Sequence, residues 1–284
     1  MSQCDGCASA STCGGSCDAK APELTEAQKN TNIKNIIVVM SGKGGVGKSS
    51  FSSILSIALK RRGFEVGIMD ADITGPSIPK LFGVNEQPKM GEHGIEPVKS
   101  KTGISLMSMN FLLPHDDDPV VWRGAMITGV VQQFITDICW GDLDYLVIDM
   151  PPGTGDVPLT ILQSMKVNGA LIVTTPQGLS NMVVRKGLKM LDLMKVPALG
   201  IAENMSYVRC PGCDERINIF GESHVDETCA QFKLPLLGQF PLDSKLSEMG
   251  DAGDIESYDG EVLAVLTENL DTLLTSVQEA AKAE

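Results

Sequence analysis

What the chain lacks narrows its setting first. No run of about 18 to 20 uncharged apolar residues occurs, the length a helix needs to cross a hydrocarbon core. No basic segment leading into an apolar one opens it, as a secretory signal would. Membrane spanning and export are argued against, and the expected address is cytoplasmic. Basic residues are also short, with 23 Lys and Arg against 36 Asp and Glu for a net charge of −13. Nucleic acid is bound by clustered cations that displace counterions, and an acidic surface repels a polyanion. Neither nucleic acid nor a membrane is an expected partner. Histidine is sparse, and His93, His115 and His224 are isolated, so none is nominated as a ligand. Large apolar side chains are nearly missing from residues 1–32. Such a segment cannot repay the entropy of ordering and reads as a tail unless a metal organises it.

Cysteine, by contrast, is plentiful, with eight in 284 residues and four of them, Cys4, Cys7, Cys13 and Cys17, near the start. Disulfides are rare in a reducing compartment, so CxxC pairs point to metal or redox chemistry. From residue 33 to 284, short apolar runs alternate with longer amphipathic stretches, the pattern of βα units in one domain. Strands are expected at Ile36–Met40, Glu65–Asp70, Ile104–Met109, Leu143–Asp149, Ala170–Thr174, Ala198–Asn204 and Leu236–Phe240. Helices are expected at Lys48–Arg61, Met126–Ile138, Ser180–Met194 and Gly260–Ala281. The fold class is therefore α/β, a mostly parallel twisted sheet with helices on both faces and ligands at the carboxyl ends of the strands.

One motif decides the chemistry. An apolar strand runs into Ser41-Gly42-Lys43-Gly44-Gly45-Val46-Gly47-Lys48-Ser49 and then an apolar helix start, which is a P-loop in its confirming strand-loop-helix context. Its glycines let backbone N–H groups turn inward around an anion, and the helix N-terminus adds positive potential. Lys48 is expected on the β and γ phosphates and Ser49 on Mg²⁺. Two acids end the next strand, Asp70 and Asp72. Asp72 is the candidate to orient or deprotonate an attacking water, and Asp70 to support the metal site. The run Leu146-Val147-Ile148-Asp149 delivers a further carboxylate towards the Mg²⁺ shell. The following Met150-Pro151-Pro152-Gly153-Thr154-Gly155-Asp156 pairs restrained prolines with permissive glycines, as a nucleotide-sensing switch requires.

The second lysine, Lys43, makes the loop resemble the deviant P-loop of the SIMIBI-class ATPases, which include MinD, ParA and the nitrogenase iron protein. In that class the extra lysine reaches across a homodimer to the partner's nucleotide. Asp70-Ala-Asp-Ile-Thr-Gly-Pro-Ser77, Trp140 to Asp156 and Glu203-Asn-Met-Ser-Tyr207 together resemble the Mrp/ApbC family over about residues 33 to 275. The resemblance implies an ATP-dependent carrier that assembles a 4Fe-4S cluster as a homodimer and passes it to apo iron-sulfur proteins. It implies catalytic roles for Lys43, Lys48 and Asp72. Nucleotide contacts would come from Gly42 to Ser50, including Ser50 itself, and from Asp70, Asp149, Gly153, Asn204 and Pro241. Asn204 would read the purine base.

Cys210-Pro211-Gly212-Cys213 matches the family's CxxC, expected in a loop near 205–219. Two thiolates from each of two subunits would complete the ligand set of a bridging 4Fe-4S cluster. A zinc knuckle or a redox-active dithiol remains open for the same residues. Cys4, Cys7 and Cys13 resemble the last three cysteines of the N-terminal cluster motif of longer scaffold proteins, whereas the motif's upstream first cysteine has no counterpart and Cys17 follows instead. A second 4Fe-4S cluster, a zinc or no metal at all stay open for the four. Residues 220–225 depart from the family's more glycine-rich segment. Cys139 and Cys229 read as small packed side chains. A MinD- or ParA-like positioning switch and an electron donor resembling the nitrogenase iron protein are the competing functions. The acidic C-terminal end, Thr267 to Glu284, counts against the first of these.

Overall fold

The computed structural model describes residues 24–72, 75, 77–108, 111 and 124–282. The N-terminal cysteines Cys4, Cys7, Cys13 and Cys17, together with His115, lie outside them. In chain order the elements are α1 Glu26–Lys29, β1 Thr31–Ser41, α2 Lys48–Arg61, β2 Val66–Asp70, α3 Ile78–Phe82, β3 Lys89–Met90 and β4 Ile95–Glu96. They continue with β5 Val98–Lys99, β6 Ser105–Ser108, α4 Gly124–Thr136, β7 Gly141–Asp149, α5 Asp156–Ser164, β8 Gly169–Thr174 and α6 Gly178–Met194. The last are β9 Ala198–Arg209, β10 Arg216–Ile217, α7 Val225–Phe232, β11 Leu236–Pro241, α8 Ser244–Asp251 and α9 Glu261–Lys282.

Nine strands form one sheet in the order β10-β9-β8-β1-β7-β2-β6-β5, with β11 also paired to β9. All its pairings are parallel except β5 with β6 and β10 with β9. Alternation along β1 explains the layers. Ile37 and Val39 face one core and Ile36, Val38 and Met40 the other, because successive strand side chains point to opposite faces. Helices α2 and α9 cover the first face, whereas α4, α5 and α6 cover the second. In α9 the buried residues Leu263, Leu266, Leu270, Leu273 and Val277 make one stripe at helical spacing. Helix α2 is buried almost all round, and its hydroxyls bond backwards along the helix: Ser52 to Lys48 O, Ser53 to Ser49 O and Ser56 to Ser52 O. That satisfies polar groups which burial would otherwise penalise.

Several boundaries differ from expectation for physical reasons. The body starts before residue 33: Thr25 forms a capping box with Gln28 at α1, and Ala27 is buried. Helix α4 stops at Thr136, short of the expected Ile138, because Ile138 bridges Ile95 and Cys139 N donates to Ile95 O. Cys139 is thus half-buried in a bridge beyond the helix, while Cys229 is buried in α7. Strand β9 runs on past Asn204 to Arg209, and Met109, the last residue of the expected Ile104–Met109 strand, lies outside the described residues. No helix among the described residues is long and apolar enough to cross a membrane.

Candidate functional site

Strand β1 is paired in parallel on both sides, with β7 and β8, so its end is held from both flanks and the P-loop leaves it at a fixed point. Gly45 at φ +76° and Gly47 at φ +78° take left-handed backbone, which glycine adopts at no steric cost. The close approach is specific as well. A Cβ on Gly42 would overlap Val183, and one on Gly47 would overlap the Asn204 side chain. The loop and its surroundings line a cleft of about 250 Å³ that takes in Ser41, Gly44, Gly45, Val46, Gly47, Lys48, Ser49, Ser50, Asp72, Gly75 and Pro152.

Asp149, at the end of β7 and fully buried, gathers the donors beside this cleft. Its Oδ1 accepts Lys48 Nζ at 2.8 Å and Ser52 Oγ at 2.8 Å, and its Oδ2 accepts Ser49 Oγ at 2.6 Å. A charge-assisted bond shielded from water is worth more than a surface ion pair. The carboxylate and the Ser49 hydroxyl are hard oxygen donors, the set that Mg²⁺ prefers.

Asp70 ends β2 next to Asp149 in register. It is fully buried, and its carboxylate accepts the backbone N–H groups of Asp72 at 3.1 Å, Ser77 at 3.0 Å and Ile78 at 3.1 Å. Burial, and then the neighbouring Asp149 charge, pushes its pKa up to about 7, against the pull of the Ile78 and Asp72 N–H groups and of Lys48. Its visible work is to shape the turn that carries Asp72 into the cleft.

The remaining nominated residues surround this centre. Lys43 is turned aside, with its Nζ on Gln177 Oε1 at the start of α6. Gly153, at φ +86°, donates its N–H to Ser41 O at 2.9 Å, so the Pro-Pro-Gly turn is tied directly to the start of the loop. Asn204 is buried and its Nδ2 donates to Val46 O at 2.9 Å, bracing the loop from behind. Pro241 ends β11 opposite Tyr207 and does not line the cleft.

The sequence reading missed Glu203. It is buried beside Asn204 and accepts Ser206 Oγ at 2.9 Å, Ser223 Oγ at 2.6 Å and Gln239 Nε2 at 2.9 Å. An acid inside an otherwise apolar strand run was the available signal. Next to it, β9 bulges against β11 between Glu203 and Tyr207, with Met205 at φ +56°.

Cys210 and Cys213 occupy the tip of the hairpin between β9 and β10. Cys210 N donates to Glu215 O and Asp214 N to Cys210 O, both at 2.9 Å. Cys213 is exposed and Cys210 half-buried. The Cys210 thiol is held below its ordinary pKa, first by the Gly212 N–H, then by the Cys213 thiol and the Cys213 N–H. The Cys229 thiol is pushed up to about 11, chiefly by burial. Among the described residues no group of three or more metal-binding side chains occurs, and the thiols these residues bring to the hairpin tip are those of Cys210 and Cys213.

A buried lysine and serine on an aspartate below a glycine-lined anion cleft define a P-loop nucleotide-binding protein on a doubly wound sheet. The family model described as ParA, NUBPL iron-transfer P-loop NTPase, matches residues 32–277, and the chain belongs to that family. It is 45% identical over 260 residues to the iron-sulfur cluster carrier protein of Methanocaldococcus jannaschii, covering 89% of this chain and 90% of that protein. It is 43% identical over 225 residues to the cytosolic Fe-S cluster assembly factor CFD1 of Saccharomyces cerevisiae, covering 76% of this chain and 77% of that one. Among solved structures, the nucleotide-binding protein of Archaeoglobus fulgidus in complex with ADP is similar, with a TM-score of 0.75, 42% identity and coverage of 84% and 95%. MinD of Pyrococcus horikoshii shares the fold, with a TM-score of 0.61, 21% identity and coverage of 87% and 99%.

Proposed function

We propose that this chain is an ATP-dependent carrier of iron-sulfur clusters that works as a homodimer in the cytoplasm, holding a 4Fe-4S cluster between subunits and passing it to apo-proteins. The observation that carries the reading is the pairing, in one chain, of a P-loop with an exposed two-cysteine hairpin grown from a strand that touches that loop. Two thiols are half of what a 4Fe-4S cluster requires, so a second copy of the chain would supply the rest.

In this reading the P-loop amides and Lys48 hold the ATP phosphates. Ser49 Oγ, with Asp149 behind it, would hold Mg²⁺, which would neutralise charge on the β and γ phosphates. Asp72 orients the attacking water, and Lys43 of each subunit leaves Gln177 to meet charge developing on the other subunit's nucleotide. Asn204 reaches the base, and Pro241 and Ser50 complete the nucleotide contacts. Hydrolysis is slow and switches the dimer between holding and releasing its cargo. Cys4, Cys7, Cys13 and Cys17 would hold a second cluster or zinc. A positioning switch of MinD type is disfavoured because the apolar stripe of α9 is buried in the core, leaving it no such face for a membrane.

The test is iron and acid-labile sulfide analysis, with native mass, of anaerobically reconstituted wild type and Cys213→Ala. The wild type should carry one bridging cluster per dimer, and the variant should lose it while still binding ATP. Equal iron and sulfide in the two proteins would refute the hairpin as the cluster site, and two zinc-linked subunits without sulfide would favour the knuckle instead.

A further inference from the structure

The cysteine hairpin is too short to hold itself. Its ladder consists of two pairs, Arg216 with Arg209 and Ile217 with Val208, and an isolated ribbon of that kind is marginal in water. One of the pairs also sets two guanidinium groups opposite each other, a like-charge arrangement that destabilises a ladder.

Glu261, the first residue of α9, sits where that repulsion needs an answer. Its Oε2 accepts Arg209 Nε at 2.8 Å and its Oε1 accepts Arg209 Nη2 at 2.6 Å, the planar two-point fit that arginine makes with a carboxylate. Oε1 also accepts the Tyr207 hydroxyl at 2.9 Å and lies 4.0 Å from Arg216 Nη2. The Arg216 guanidinium stacks on the Tyr207 ring, 4.3 Å from its centre. On its other side, Arg209 Nη1 reaches Asp214 O at 3.2 Å and Asp214 Oδ2 at 3.0 Å, directly after Cys213. One arginine therefore links the tip bearing the thiols to a helix whose next residues, Val262 and Leu263, are buried in the core.

We propose that Glu261 and Arg209 are the positioning residues of the cysteine site: together they clamp the hairpin to α9 and present Cys210 and Cys213 in one fixed pose to the cargo cluster. The inference rests on the carrier reading above. Neither residue lines the nucleotide cleft, so the clamp acts on the thiols alone. Its strength lies in preorganisation, because thiols already aimed lose less freedom when they bind.

The experiment is a charge swap in the full chain: Arg209→Glu, Glu261→Arg and the double variant. In unloaded protein, amide hydrogen exchange at Cys210 and Asp214 reads the hairpin directly, since these N–H groups bond across the tip. Each single variant should lose protection there while ADP affinity stays unchanged, and the double variant should regain part of it, because the swapped pair re-forms but meets Asp214 and Arg216 with like charge. In reconstituted protein, cluster loss to an iron chelator should be about tenfold faster in each single variant, the size seen when groups supporting metal ligands are removed. The double variant should bring it part of the way back to the wild-type rate. Wild-type exchange in both single variants, or a folded double variant without recovery, overturns the clamp. If wild-type protein takes up no cluster, the carrier reading fails, while the exchange measurements still decide whether the clamp exists.

Discussion

Asp149 shows how much one side chain can organise. Three donors from one helix, Lys48, Ser49 and Ser52, converge on its two oxygens. Lys48→Ala removes the only cation among them, and ATP binding should weaken at least about tenfold, or ~1.4 kcal/mol, when followed by calorimetric titration. Undiminished affinity would remove Lys48 from the phosphate site. Cys210 allows a second prediction. The thiolate is the nucleophile, and the Gly212 N–H favours that form first among the causes that lower this thiol's pKa. Alkylation of Cys210 in unloaded protein should therefore half-saturate at a lower pH than that of a free cysteine. It should fall away only as pH drops through that lowered value, as mass spectrometry of the modified peptide across a pH series would show. A midpoint at or above that of free cysteine would mean that the turn does not favour the thiolate.

At the scale of elements, the test case is the junction of β9 with the P-loop. Gly47 combines a left-handed backbone with direct contact to Asn204. Gly47→Ala should cost about 1–3 kcal/mol from the backbone alone, lower the thermal midpoint and weaken nucleotide binding, since the loop cannot keep its curvature. A variant of unchanged midpoint would show that the loop relaxes freely.

The strands that carry the P-loop and Asp149 were legible in advance, because Ile36–Met40 and Leu143–Asp149 are apolar runs ending in chemistry-bearing residues. The P-loop was legible for the same reason, its spacing being dictated by phosphate geometry. The hairpin ladder was not. Two pairs of residues have no period to detect, and β9 beyond Asn204 is held at Tyr207 by partners distant in sequence, Pro241, Leu242 and Glu261. The bond from Asn204 Nδ2 to Val46 O joins residues far apart in sequence, which no local pattern encodes. Helix α3, Ile78–Phe82, begins directly after the stretch read as a motif, which ended at Ser77, and no helix was expected there.

At the scale of the whole molecule, the two faces of the sheet carry different duties. Helices α2 and α9 share one core cluster, so the helix behind the phosphates and the helix whose first residue clamps the cysteines are packed as one layer. A chain truncated before α9 would expose the apolar side chains of that layer and lose Glu261 together with Val262, Leu263 and Leu266. It should fail to refold cooperatively and should bind a hydrophobic dye, whereas a chain shortened only by residues 1–23 should keep its thermal midpoint. A truncated chain with an intact cooperative transition would show that α9 is dispensable to the core.

Strand β9 meets the phosphate loop at Asn204 and ends at the thiol-bearing turn, so any coupling between the two places would run through the same few peptide units. Linkage is symmetric: whatever factor a bound nucleotide applies to the grip on the cargo, the cargo must apply to the grip on the nucleotide. On the proposed carrier function, an acceptor protein that strips the hairpin would, by that reciprocity, also reset the affinity for nucleotide some distance away, with no contact of its own to the phosphates.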